Sequence, residues 1–283
     1  MAGIHNCSWL KFFGYGYKYS VSGVIGRVVF VLNVFMIVPG GHFYCFAKIV
    51  LYICACMELT EFEVNGRRCV YRADEQPEVL LVEAIDAREL DALDAELSAI
   101  KEGCKHRFAY VALIVEDWNK ELAPWTAAPV FGNVPFGNGA QSTLEIIKNG
   151  VIPEMLNRFS SLRGADIIIG GYSLAGLFAL WCGYESDLFT GIAAASPSVW
   201  YPEWMDFVGG RQPNVRRVYL SLGDAEAKTK NTTMAAVEQN IRAMSDLLKQ
   251  LPGVESTLVF NPGGHFKDPA LRTAQAFIWA LRP

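Results

Sequence analysis

The chain has 283 residues, 52% of them hydrophobic and 19% charged, with a formal net charge of −4. That composition supports a sizeable core and excludes global disorder. The acidic balance argues against a nucleic-acid binder, and seven cysteines, an odd number, argue against a small disulfide scaffold.

The charges are unevenly spread. Residues 1–57 hold no Asp or Glu and only four basic residues, Lys11, Lys18, Arg27 and Lys48, so all 29 acids lie beyond them. Cys7, Cys45, Cys54 and Cys56 also lie in this stretch. Three readings of it stand. The first, favoured by the abrupt change of composition, is a misread start, with translation beginning at Met57. The second is a membrane segment, although the apolar runs Val28–Val38 and Phe43–Met57 are each shorter than the ~20 residues of a spanning helix. The third is an export signal, in which Ile53-Cys54-Ala55-Cys56 loosely resembles a lipoprotein cleavage box. Residues 1–56 are therefore separated from the fold argument, and 57–283 are taken as the catalytic domain.

Beyond Met57 the pattern becomes globular. Thr60–Val64 and Arg67–Arg72 flank Asn65-Gly66, a pair that favours a type I′ hairpin turn. A strand is expected at Val79–Ile85. A helix follows at Ala87–Glu102, with Leu90, Leu93, Leu97 and Ile100 at helical spacing. Phe108–Val115 reads as a strongly apolar strand. Residues 117–139 form a long loop rich in Pro and Gly, of the kind that is usually functional or mobile. A helix over 140–159 and a strand at Ala165–Ile169 lead to a second helix from Ser173. Further strands are expected at Gly191–Ala195, Arg217–Leu222 and Ser256–Phe260, with helices at Met234–Leu251 and Leu271–Leu281. Asp268-Pro269 supplies an N-cap and a proline at the first helical position of the last helix. Apolar strands alternating with helices after a hairpin predict an α/β domain with a mostly parallel sheet.

The segment Asp166-Ile167-Ile168-Ile169-Gly170-Gly171-Tyr172-Ser173-Leu174-Ala175-Gly176 runs an apolar strand through Gly-x-Ser straight into an apolar helix. A nucleophile elbow needs that pattern, because small residues permit the strained turn that lifts the serine to the sheet edge. Ala175 stands where Gly is more usual. Serine needs a base. Of four histidines, only His265, in Pro262-Gly263-Gly264-His265, lies after the last strand, where the order Ser, acid, His places the base. Two carboxylates follow the Arg217–Leu222 strand. Glu226, three residues after Gly223, is preferred as the acid; Asp224, nearer the strand, is the alternative, and a dyad with no acid stays open. The oxyanion hole needs two N–H donors. Leu174 is one candidate, and Trp118 or Asn119 from the 117–139 loop is the other. Trp118, Trp125 and Trp200 are candidates for an aromatic substrate pocket, or for packing. Cys69, Cys104 and Cys182 lack metal-ligand spacing. No cofactor or metal is expected.

Three stretches resemble the esterase branch of the α/β-hydrolases, the branch that includes enterobactin-type siderophore esterases. They are Gly171-Tyr172-Ser173-Leu174-Ala175-Gly176-Leu177-Phe178, Ala195-Ser196-Pro197-Ser198-Val199-Trp200 and Gly263-Gly264-His265-Phe266. The likeness covers roughly residues 60–283 and includes Asp117-Trp118-Asn119. It implies an α/β-hydrolase fold with an eight-stranded sheet, no metal, and hydrolysis of a small-molecule carboxylic ester through an acyl-serine. Two rivals remain: an acyltransferase on the same fold, and a catalytically silent binding module. No nucleic-acid partner is expected, and a membrane only if residues 1–56 are genuine. A cytoplasmic location is expected, or an anchored or exported one with a genuine leader.

Overall fold

The computed structural model describes residues 59–130 and 132–282 and, of the leader, only the backbone of four strands. These are β1 (Trp9–Phe12), β2 (Tyr15–Ser20), β3 (Val29–Ile37) and β4 (Phe43–Tyr52), paired antiparallel in chain order. The rest of residues 1–56, with its three readings as misread start, membrane segment or export signal, lies outside the described residues. The chain divides into two units, Met1–Glu58 and Leu59–Pro283. Among the described residues no helix is long and apolar enough to cross a membrane.

The second unit holds an eight-stranded sheet. Strands β5 (Thr60–Val64) and β6 (Arg67–Ala73) form the expected hairpin, with Asn65 at φ 50° and Gly66 at φ 76° in the left-handed turn. The others are β7 (Val79–Asp86), β8 (Phe108–Val115), β9 (Asp166–Tyr172), β10 (Gly191–Ala195), β11 (Arg217–Gly223) and β12 (Glu255–Asn261). Their order is β12-β11-β10-β9-β7-β8-β6-β5. β7 through β12 run parallel, and β6 is antiparallel to both β8 and β5. The central strands are apolar on both faces because helices cover both.

Nine helices accompany the strands among the described residues: α1 (Leu93–Gly103), α2 (Trp118–Glu121), α3 (Ala140–Ile146), α4 (Ile152–Arg158), α5 (Leu174–Glu185), α6 (Trp204–Val208), α7 (Thr232–Ala235), α8 (Val237–Lys249) and α9 (Pro269–Ala280). One side of the sheet packs Leu144 of α3, Leu177 and Phe178 of α5, and Ile241 of α8. The other packs Leu97 of α1 and Phe277 of α9. Each such side chain, fully buried, contributes roughly 1.5–3 kcal/mol of transfer free energy.

Four segments depart from the sequence expectation. The helix expected at Met234–Leu251 is split at Ala236 into α7 and α8. The 87–102 helix begins as a 3₁₀ segment, Ala87–Ala92, capped by Asp86 and Glu89, before α1. The 140–159 helix is interrupted by a π turn, Ile147–Val151. Pro153 donates no backbone hydrogen bond, and Gly150 lets the turn press on the hairpin, since a Cβ there would lie 2.2 Å from Val64 Cγ1. Asp268 does precede α9, and Pro269 occupies its first turn, but Asp268 is left-handed (φ 52°) and its side chain caps nothing.

A polar cluster interrupts the α1–α9 side of the core. Glu83 of β7, Glu96 of α1 and Tyr110 of β8 are all buried, and the Tyr110 hydroxyl donates to Glu83 Oε2 at 2.7 Å. Burial pushes the Glu83 carboxyl up to about 7 and raises Glu96 well above the ordinary carboxylate range, each further disfavoured by neighbouring carboxylates.

Candidate active site

β9 delivers the chain to Ser173, which sits at φ 59°, ψ −120° between the strand and α5. A non-glycine residue held there costs on the order of 1–3 kcal/mol and persists only where its surroundings fix it. They do so here. Ser173 N–H donates to the Ala195 carbonyl at 3.1 Å, and its own carbonyl accepts from Leu177 and Ser198, each at 3.0 Å. Gly176 lets α5 approach the next loop, since a Cβ on it would lie 3.0 Å from the Gly171 carbonyl and 3.2 Å from Pro197 Cα. Nearly every residue of α5 is buried, consistent with an apolar composition on all sides.

His265 lies in the turn after β12. Its Nε2 is 3.0 Å from Ser173 Oγ and its Nδ1 is 2.7 Å from Glu226 Oε2. The Tyr172 hydroxyl donates to the His265 carbonyl, fixing the loop from the strand before the serine.

Glu226 and Asp224 both follow β11 but do different things. Glu226 turns inward, its side chain 5% exposed. Oε1 accepts from Gly223 N–H (2.6 Å), Ser196 Oγ (2.8 Å) and Arg272 Nη1 (3.0 Å), which leaves Oε2 for the histidine. Burial would raise the Glu226 carboxyl, but the His265 contact and the bonds from Gly223 and Ser196 outweigh it, and the group is held below its ordinary range. Asp224 does not reach His265. Its Oδ1 accepts the Gly263 N–H at 2.8 Å, and its backbone N–H bonds Asn261, so it staples the β11 turn to the β12 turn. The longer side chain two residues on makes the inward reach.

No protein-family model matches the sequence. No curated protein matches it either. Solved structures do match. An IroE-like serine hydrolase from Shewanella oneidensis superposes with a TM-score of 0.67 at 13% identity, over 78% of this chain and 79% of that one. The siderophore hydrolase EstB from Aspergillus nidulans gives 0.59 at 15% identity, over 82% and 96%. The enterobactin and salmochelin hydrolase IroE gives 0.54 at 19% identity, over 78% and 93%. The chain has the α/β-hydrolase fold. In strand order and in neighbours, the structure agrees with the resemblance read from the three sequence stretches.

On the α/β-hydrolase frame, Ser173, Glu226, His265 and the 117–139 loop all follow carboxyl ends of parallel strands. Leu174 is the first residue of α5, and Trp118 and Asn119 are the first two of α2. Backbone N–H groups at such positions have no acceptor within their own helix. The 117–139 loop is tied down: Gly137 N–H donates to Asn119, Gly139 N–H to Lys120, and Ala127 pairs with Phe136 in an isolated bridge.

The three tryptophans differ. Trp118 is half-buried against the main core. Trp125 is committed to packing: its indole N–H donates to the Pro202 carbonyl at 3.0 Å, and its ring meets Tyr201, Trp204 and Phe207. Trp200 lines a cleft of about 30 Å³ with Pro197, Met234, Val237, Glu226 and His265. Phe266 follows His265 in the chain, 94% exposed, with its ring edge-on to the imidazole at 5.3 Å. Among the described residues, no group of three or more His, Cys, Asp or Glu is arranged to hold a metal ion.

Sequence reasoning missed Arg272, Tyr172 and Ser196, all of which touch Glu226 or His265. A signal for the first was present: Arg272, Ala276 and Trp279 share one face of α9, so a charge stands at a core position.

Proposed function

We propose that the protein is a serine hydrolase of carboxylic esters. The supporting observation is the relay from Ser173 Oγ to His265 Nε2 (3.0 Å) and from His265 Nδ1 to Glu226 Oε2 (2.7 Å), built on a strained strand-to-helix turn. Geometry of this kind, and not sequence position, identifies a triad.

In this reading Ser173 Oγ attacks the ester carbonyl while His265 Nε2 takes its proton. Glu226 holds the imidazole in the tautomer that carries its proton on Nδ1 and stabilises the imidazolium. The Leu174 N–H and one N–H from Trp118 or Asn119 receive the oxyanion. His265 then gives the proton to the leaving alcohol. Water, activated by the same imidazole, releases the acid from the acyl-serine. The names of EstB and IroE make siderophore esters the first natural substrates to try, alongside simple esters.

The test is hydrolysis of p-nitrophenyl acetate and butyrate by the full chain and by Ser173→Ala. Turnover by the parent and a loss of at least about 10³-fold in the variant is expected. Equal activity in folded Ser173→Ala would remove Ser173 as nucleophile. Product analysis with added alcohols would reveal acyl transfer if water is not the acceptor.

A further inference from the structure

Arg272 reaches the site from behind. It lies on α9 with a side chain only 4% exposed. Nη1 donates to Glu226 Oε1 at 3.0 Å, and lies 3.2 Å from the Tyr172 hydroxyl and 3.3 Å from Ser196 Oγ. Nη2 donates to the Pro262 carbonyl at 3.1 Å, three residues before His265. The same planar group therefore holds the acid and the backbone of the histidine turn. Tyr172, its third partner, in turn holds the His265 carbonyl.

The chemistry follows from the division of Glu226's oxygens. Oε1 is saturated by Gly223, Ser196 and Arg272, and among the described residues Oε2 bonds only His265. A carboxylate free to rotate would share both oxygens among these donors and lose its aim. A buried carboxylate also needs a compensating charge. A guanidinium supplies charge and fixed direction together, whereas an ammonium supplies charge alone.

We propose that Arg272 is a positioning residue: it clamps Glu226 and the Pro262–His265 turn to each other, so that one carboxylate oxygen stays reserved for His265 Nδ1. This rests on the hydrolase reading for its catalytic consequence, but not for its structural one.

The experiment therefore has two readouts on the full chain. The first is the downfield proton resonance of an imidazole Nδ1–H bonded to a carboxylate, assigned by its loss in Glu226→Gln. The second is ester kinetics. Arg272→Gln is expected to lose the resonance and to lower kcat about 100-fold with KM changed less than about three-fold. Arg272→Lys, which keeps the charge and loses the fork, is expected to weaken or broaden the resonance and to recover no more than about ten-fold of that kcat. A folded Arg272→Gln protein with the parent resonance and kcat would overturn the proposal. If Arg272→Gln does not fold, Arg272→Lys decides: a weakened or lost resonance with reduced kcat supports the clamp, and the parent's resonance overturns it, whatever the kcat. Activity surviving in Ser173→Ala would defeat the hydrolase reading, and the resonance would still test the clamp.

Discussion

A side-chain carbon on Gly171 would lie 2.8 Å from the Cβ of Ala175. The strand before Ser173 and the helix after it touch at this point, so Ala175 occupies space that a larger residue at position 171 would need. Two further atoms crowd the same spot, Ala175 C at 2.7 Å and its carbonyl oxygen at 2.8 Å, and both are backbone. Gly171→Ala should therefore lower Tm by several degrees and kcat/KM by about 100-fold, since overpacking costs about 1–3 kcal/mol and displaces Ser173. Ala175→Gly removes only the Cβ contact and should not rescue it. Thermal melts and ester kinetics on the double variant check this; full recovery would show that the backbone contacts yield.

Glu226 and Asp224 should separate cleanly. Glu226→Gln is expected to lower kcat by about 10²–10⁴-fold, because the amide no longer stabilises the imidazolium. Asp224→Ala removes the bond to Gly263 N–H and should cost about 1 kcal/mol of stability with kcat reduced less than ten-fold. Steady-state kinetics with urea melts on both variants would read this. The opposite ranking of kcat would assign the acid's role to Asp224.

The outline of the fold was open to sequence reasoning because its strands are short apolar runs with sharp ends. Phe108–Val115 and Gly191–Ala195 match the structure residue for residue. The serine turn and the histidine were legible for the same reason, since each follows such a run. What was hidden depends on tertiary contact. The π turn at Ile147–Val151 leaves the apolar spacing of one helix nearly intact, so periodicity does not report it. Trp125 and Trp200 look alike in sequence, and only the cluster around Tyr201 and Trp204 commits the first to packing. Asp224 and Glu226 differ by two positions in one turn, and which faces inward is decided by Gly223, Ser196 and Arg272, the last 46 residues away.

The buried Glu83–Glu96–Tyr110 cluster predicts stability that falls as pH rises. The native state holds the Glu83 proton up to about pH 7, and the unfolded chain releases it near 4.5. Across that window the native state binds more protons, so unfolding becomes easier with each step upward in pH. Glu83→Gln should reduce this slope and Glu83→Gln/Glu96→Gln should remove most of it, raising Tm at pH 8 by several degrees with little change at pH 4.5. Melts at the two pH values test it. An unchanged slope in the double variant would mean that other groups carry the linkage.

Phe266 should act on the substrate and not on the base. A phenyl ring 94% exposed beside His265 has apolar surface to offer an incoming ester. Phe266→Ala is expected to raise KM for p-nitrophenyl butyrate about three- to ten-fold, with kcat within about two-fold. Saturation kinetics distinguishes the cases, since a fall in kcat at constant KM would place the ring's effect on His265.

Ser173, Glu226, His265 and the 117–139 loop all emerge from one end of the parallel strands, and the loop is anchored in the core through Leu122, Ala123 and Phe136, with Trp125 packed against them. The Leu59–Pro283 unit is thus divisible into a chassis and an upper deck pinned to it by those residues. Under the proposed hydrolase activity, changes in the segments at the opposite end should alter how firmly the protein folds and leave the preference among esters untouched. Grafts between Trp118 and Gly139 should do the reverse, provided Leu122, Ala123, Trp125 and Phe136 are kept and Phe136 keeps its pairing with Ala127. For directed evolution, the other positions of that loop make the compact library, and selection for a new ester can proceed there while these four residues keep the frame closed.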